Sequence, residues 1–357
     1  MAIKYGVTLY SFSNEYVNGI LSFEEILHKV KKMGYTGIEL VASQMVPQYP
    51  YPSDEWLAWL KKTLDDIGLE PVCWSAYIDM GIRSDRDLTE DEIVQFTVND
   101  LICAKKAGFP TVRTQHAISP KIFRQMIPFC KQLGMKLTIE MHHPHHPEVP
   151  VWKEYIEIMR GEGKGVLGFV PDMSIFQDRP HALWIQEALD AGCRKDVLDD
   201  MLEKHAQKRP KDEVLSGDLS ETERFYGEQM VDDYDGATKV EQLRDLLDCA
   251  FYMHGKFYFI NENLEEIAIP YPDILKMVQE AGYDGYIACE YEGHHFDTTV
   301  KAEDQLRRYV SMCDHILGKR FLARGKKDGI YVETKSESRG RRLRRHLQGD
   351  LHEQHGE

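Results

Sequence analysis

The apolar and polar positions of this chain recur in one unit. Five times an amphipathic segment runs into glycine and then straight into a short apolar stretch: KKMG-YTGIELV, DDIG-LEPVCWS, KKAG-FPTVRT, KQLG-MKLTIE and QEAG-YDGYIACE. The first part of each has helical periodicity, and the second is too short for a helix and reads as a strand. Gly34, Gly68, Gly108, Gly134 and Gly282 stand where a helix ends in the left-handed region, which glycine enters without strain. Helix starts agree. Ser22 with Glu25 and Thr89 with Glu92 have capping-box spacing, and Ser119-Pro120 offers an N-cap followed by proline in the first turn.

With the less marked stretches added, strands are expected at 4–9, 37–41, 71–75, 111–114, 136–140, 165–170, 251–258 and 286–290. Eight strands separated by helices predict a (β/α)8 TIM barrel over residues 1–318. The competing doubly wound sheet lacks its strongest cue, because no Gly-rich dinucleotide fingerprint follows any strand. Two segments break the repeat. Residues 195–245 hold 8 Lys/Arg and 15 Asp/Glu, and they read as a charged insertion of solvated helices after the sixth strand, serving as surface packing, a lid or a subunit-docking arm. Residues 319–357 form a basic C-terminal extension, expected to be a partly flexible, solvated tail.

Composition narrows the class further. Of 357 residues 42% are apolar, enough for a sizeable core, which excludes a disordered chain. A net charge of -15 argues against a nucleic-acid partner. The seven cysteines are scattered without a Cys-x-x-Cys pair, as expected of reduced thiols in a cytoplasmic protein rather than a disulfide scaffold. The N-terminus shows no export signal, and no stretch is apolar enough to span a membrane.

In such a barrel the chemistry sits at the C-terminal ends of the strands. The fifth strand ends at Glu140, the sixth at Asp172, the seventh near His254 and the eighth at Glu290. Each acid alone could cap a helix or pair with a lysine, but three carboxylates cannot share a partly dry pocket unless a cation neutralises them. Three oxygen donors and one imidazole suit Mn²⁺, with Mg²⁺, Fe²⁺ or Co²⁺ as substitutes. After Glu140 comes MHHPHHPEVPVW. Strand alternation turns Met141 away and returns His142 to the site, so His142 is the first candidate for a base. A bulge would substitute His143, while His145 and His146 stay unassigned. Lys256, two residues beyond His254, faces the same way and either donates to a substrate oxyanion or pairs with Glu292. Glu292, Tyr10 and Tyr77 are candidate substrate-binding residues, and Tyr49, Tyr51 and Trp152 are placed with the tyrosines in βα loops, where aromatics can stack on a sugar or aglycone.

Glu, Asp, His and Glu on strands five to eight, with the His254-Gly-Lys256 element, resemble the sugar phosphate isomerase/epimerase superfamily of xylose-isomerase-like barrels. Ketose epimerases and related endonucleases of that superfamily usually carry a histidine three residues after the strand-six aspartate; this chain has Ile175 there. The stretches KYGVTLYSFSNEY, IELVASQMVPQYPYPSDEW, MHGKFY and ACEYEGHH resemble the catalytic alpha subunits of bacterial C-glycoside deglycosidases. That resemblance implies a metal-dependent lyase for 3-oxo-C-glycosides and a small β-sandwich partner subunit in a hetero-oligomer. The chemistry is coherent with it. A carbon–carbon glycosidic bond has no bridging oxygen to protonate, so a glycosidase carboxylate pair would not suffice. A C3 ketone acidifies the C2 proton, a base removes it, a metal stabilises the enediolate, and elimination expels the aglycone. A sugar or sugar-phosphate isomerase or epimerase would share the first half of this route. A non-catalytic sugar-binding barrel would share neither half.

Overall fold

A computed structural model describes residues 3–115, 118–234, 236 and 238–318. Its eight strands are β1 (Lys4–Thr8), β2 (Gly37–Val41), β3 (Glu70–Ser75), β4 (Thr111–Thr114), β5 (Lys136–Met141), β6 (Leu167–Pro171), β7 (Met253–Phe257) and β8 (Tyr286–Tyr291). All pair in parallel, in the order β6-β5-β4-β3-β2-β1-β8-β7. Bridges from Phe169 to Ala250 and from Asp172 to His254 bring the two outer strands together, so the sheet is a nearly closed barrel with helices interleaved. The TIM barrel expected from the repeat is the observed fold.

The local signals account for the repeat. All five cap glycines have φ between +65° and +97°. Both capping boxes form, and Ser119 caps helix Pro120–Gln125 by accepting from the Ile122 amide. Two strands begin later than expected. β6 starts at Leu167 because the chain still turns at Gly165, where φ is +83°. β7 starts at Met253, since the Phe251 ring is taken up in packing over Gly168.

Strand alternation sorts the side chains into two layers. Leu137, Ile139 and Met141 of β5, and Ile287, Cys289 and Tyr291 of β8, join the main core between strands and helices. A separate cluster of Val72, Cys73, Val170, Tyr252, Tyr286 and Ala288 fills the barrel floor. Above it the interior turns polar: Glu39, Arg113, His254, Glu140, Asp172, Lys256 and Glu290 are each more than nine-tenths buried. Gly255, between the inward-facing His254 and Lys256, points outward, and a Cβ there would overlap the Tyr309 hydroxyl on helix Ala302–Ile316. All seven cysteines are buried. Among the described residues no helix is long and apolar enough to cross a membrane.

The insertion differs from its expected form. Its helices Lys195–Ala206, Lys211–Val214, Glu221–Asp233 and Val240–Arg244 are not merely solvated. Leu198, Met201, Val214, Tyr226 and Met230 join Trp184 and Ala188 of helix Ala182–Asp190 in an apolar core of their own. Apolar residues are few there, but their three- and four-residue spacing puts them on single helix faces. The extension at 319–357 lies outside the described residues.

One buried acid sets the loop after β2. Asp100, 1% exposed, accepts from Trp74 Nε1 at 3.0 Å and from the Tyr49 hydroxyl at 3.1 Å, while Asn99 donates to the Pro50 carbonyl at 2.6 Å. Burial pushes the Asp100 carboxyl up to about 7, against the pull of those two hydrogen bonds. Its folded value lies above its unfolded one, so the folded state holds the extra proton and stability falls as pH rises from about 4 to about 7. Asp100→Asn should flatten that decline. Urea unfolding of both proteins at about pH 5 and pH 7 checks it, and equal pH slopes would overturn the assignment.

Candidate active site

The four residues expected to share a metal converge: Glu140, Asp172, His254 and Glu290 each offer one donor atom, and these atoms lie within 4.8 Å of one another. They occupy two levels. Lys256 pairs with Glu290 across β7 and β8, whereas His254 pairs with Ala288, two residues deeper. His254 therefore sits near the start of β7 rather than at its end, which corrects the expectation. The stagger between strands makes up the difference by bringing it level with Asp172.

His254 joins the cluster to residues that sequence reasoning missed. Its Nδ1 lies 2.8 Å from Glu140 Oε1, 3.3 Å from Glu290 Oε2 and 3.6 Å from Asp172 Oδ2. Its Nε2 lies 2.6 Å from Glu39 Oε2 on β2. Glu39 Oε1 in turn accepts from Arg113 Nε at 3.0 Å, and Arg113 ion-pairs with Glu140 and donates to Ser75 and, at 2.7 Å, to the Tyr77 hydroxyl. Glu39 is wholly buried and Arg113 nearly so. A charged residue inside GIELV and another inside TVRT were the available signals, because strands buried on both faces normally read as continuous apolar runs.

The electrostatics follow from that network. Burial alone would raise Glu140 and Glu290; Arg113 and His254 outweigh it for the first, Lys256 and His254 for the second, and both stay well below the usual carboxylate range. Burial opposes the charges of His254 and Lys256, but the surrounding carboxylates win and hold both well above their ordinary values. Glu292 goes the other way: burial pushes it up to about 7. In this arrangement four carboxylates, Glu39, Glu140, Asp172 and Glu290, thus face three cationic groups, Arg113, Lys256 and His254, which leaves negative charge in excess.

A divalent cation that takes the place of the His254 proton would balance that excess. Asp172 Oδ1 accepts from the Ser174 amide at 2.7 Å, yet Asp172 Oδ2 and His254 Nδ1 are buried without a hydrogen-bond partner. A metal here would displace the proton from Nδ1 while Nε2–H stays with Glu39, the usual way a carboxylate orients a metal-binding imidazole. The cluster can hold a metal ion, and its oxygen-rich donor set suits a hard divalent one.

Over this centre lies a cavity of about 530 Å³. Glu140 and Glu290 reach it, as do the expected His142, Lys256, Tyr10, Tyr77 and Glu292. His143 lines it too, so both candidate bases face the cavity, with Met141 turned into the outer core. His142 Nδ1 is 2.6 Å from the His143 carbonyl oxygen. Lys256 combines its two expected roles: it lines the cavity and pairs with Glu292 at 2.6 Å and Glu290 at 3.2 Å. The expected aromatic rim is partly corrected. Trp152 belongs to helix Pro150–Arg160 and is fully buried against Tyr155 and Phe169; Tyr49 is tied to Asp100; Tyr51 is exposed and packs beside Phe96. None of the three lines the cavity.

This fold and this cluster define a class, and the chain belongs to the xylose isomerase-like TIM barrel family, whose pattern matches residues 27–313. It is 32% identical over 321 residues to the 3'-dehydrocarminate deglycosidase alpha subunit of Microbacterium sp, covering 83% of this chain and 90% of that protein. It is 29% identical to a C-glycoside deglycosidase alpha subunit of Arthrobacter globiformis, covering 82% and 86%. A solved D-psicose 3-epimerase, determined in the presence of D-fructose, shares the fold with a TM-score of 0.55 at 14% identity, covering 88% of this chain and all of that one. All three are named as enzymes, and the expected kinship is borne out.

Arg113 is the testable centre of the network. Arg113→Met would leave Glu39 and Glu140 buried without their cation, and should cost about 3–5 kcal/mol of stability in chelator-treated protein, measured by urea unfolding. A loss below about 1 kcal/mol would show that the carboxylates do not depend on it.

Proposed function

We propose that this chain is the catalytic subunit of a divalent-metal-dependent lyase that cleaves the carbon–carbon glycosidic bond of 3-oxo-C-glycosides. The observation that carries the reading is a buried Glu140-Asp172-His254-Glu290 cluster beneath a cavity lined by His142 and Lys256, in a chain one-third identical to a deglycosidase alpha subunit. Mn²⁺ is the ion proposed for those four donors, with Mg²⁺, Fe²⁺ or Co²⁺ as substitutes. The alpha-subunit names of the relatives support a second, partner chain, proposed to be a small β-sandwich.

When bound, the ion supplies Lewis acidity, lowering the cost of negative charge on the substrate oxygens. The side chains do the rest. His142 takes the proton from C2, made acidic by the C3 ketone, and Lys256, held protonated by its carboxylate neighbours, donates to the developing oxyanion. The C2 electron pair then forms the C1–C2 double bond as the C1–aglycone bond breaks. The aglycone carbon leaves with the electrons of the broken C1–aglycone bond and takes a proton. The products are an unsaturated 3-oxo sugar and the free aglycone, with no water consumed and no net redox change. An isomerase or epimerase would use the same abstraction and return the proton to the sugar. Against that alternative, Ile175 is buried where ketose epimerases usually carry histidine.

The deciding experiment incubates the purified protein, with its partner if one copurifies, in D₂O with 3-oxo-glucosides and with free ketoses. Cleavage, or deuterium at C2 of the 3-oxo-glucosides, is expected; exchange into free ketoses alone would overturn the lyase reading, and no exchange at all would indicate a binding protein. Elemental analysis of chelator-free protein should find near-stoichiometric metal, which Glu290→Gln should lose.

For the base, His142→Ala should keep its fold and metal but lose roughly 10²- to 10⁴-fold in kcat. Near-wild-type turnover by this variant, with His143→Ala inactive, would move the role to His143.

A further inference from the structure

The charged insertion after β6 reaches the cavity. Helix Glu221–Asp233 delivers Asp233 and Tyr234 into the cavity wall. Tyr234 is half-buried and packs on the insertion's own apolar core, edge-on to Trp184 with ring centroids 6.0 Å apart at 82°. Its ring also lies beside that of His143, with centroids 6.5 Å apart and the planes 29° from parallel.

The insertion is also anchored beside the site. His181 caps helix Ala182–Asp190, accepting from the Trp184 amide at 3.1 Å, and its ring stacks on Tyr258 at 3.9 Å and 10°. Tyr258 follows Lys256 by two residues and lines the same cavity. A loop residue held between a packed core and two aromatic contacts presents its ring face at little entropic cost, which is what an aromatic recognition surface requires. The volume, about 530 Å³, is in the range of sites that enclose drug-sized ligands.

We propose that Tyr234, held by the inserted helices, is a stacking platform for a planar aromatic aglycone, so that the insertion selects the aglycone while the strand ends act on the sugar. This deepens the lyase reading and rests on it for the word aglycone, but the platform itself can be tested without turnover. Asp233, beside it in the wall, is placed to accept from a phenolic hydroxyl on such a ring.

The test measures binding of two probes separately by calorimetry: 5,7-dihydroxyflavone, a planar phenol with no sugar, and methyl 3-oxo-glucoside, a sugar with no aromatic ring. Tyr234→Leu keeps apolar bulk against Trp184 and removes the aromatic face; Tyr234→Phe keeps that face. Tyr234→Leu should weaken flavone binding by roughly 3- to 30-fold, with the methyl glycoside changed by less than about 2-fold and Tyr234→Phe close to wild type for both. Unchanged flavone affinity in Tyr234→Leu would overturn the proposal, as would equal losses for both probes or a wild-type protein that does not bind the flavone. Tyr234-dependent flavone binding by a protein that neither cleaves nor exchanges any 3-oxo-glucoside would leave the platform standing and sink the lyase reading.

Discussion

Four buried carboxylates inside one barrel are the constraint on which the rest of the site depends. An ionised carboxylate is costly to bury, and only opposite charge or metal coordination offsets that cost. Here the offset is distributed. Arg113 reaches Glu39 and Glu140 from β4, Lys256 serves Glu290 from β7, and His254 lies between Glu39 and the open sides of Glu140, Asp172 and Glu290. What stays uncompensated is an excess of negative charge around His254 Nδ1 and an Asp172 oxygen that makes no hydrogen bond. The same feature that costs folding energy makes the cluster able to hold a metal ion, and folding and metal binding would then be linked by mass action.

Much of this was legible in the chain, and the missing parts share a physical reason. Period-two alternation counted from Glu140 and His254 put His142 and Lys256 on the side of the site, and both line the cavity, because a strand offers only two directions for a side chain. Glu39 and Arg113 escaped because their partners lie on other strands. Nothing in GIELV or TVRT indicates which buried group the charge will meet until the barrel closes. The depth of His254 escaped for a related reason: strand stagger is a property of the closed barrel and leaves no mark on a single strand.

The aromatic positions show the limit of reading loops by residue type. Trp152 and Tyr10 looked alike as candidates, yet Trp152 follows Pro150, which starts a helix and carries the indole into the core. Tyr10 lies in a short helical turn, Leu9–Phe12, straight after β1, and its ring stays at the cavity, where its hydroxyl meets His295 Nε2 at 3.0 Å. The insertion misled in the opposite direction. Its charge hid a sparse apolar pattern, and the residue it brings to the cavity, Tyr234, comes at the end of a helix whose exposed face is acidic.

On the proposed reading, chemistry and selection fall to parts of the fold with different mechanical properties. The charged groups stand on strands whose positions are set by neighbours on both sides, and misplacement there would be felt at once, since each carboxylate touches at least one other charged group. The aromatic surface stands on an inserted lobe with its own small core, joined to the barrel through contacts such as His181 on Tyr258 and His143 on Tyr234. Substitutions within that lobe can change the shape and polarity of the wall without disturbing the charge balance beneath it. A barrel built this way can keep one proton-abstraction centre and vary what leaves from the carbon next to it, which is the division between rigid strand ends and variable βα segments that lets the fold carry many substrates.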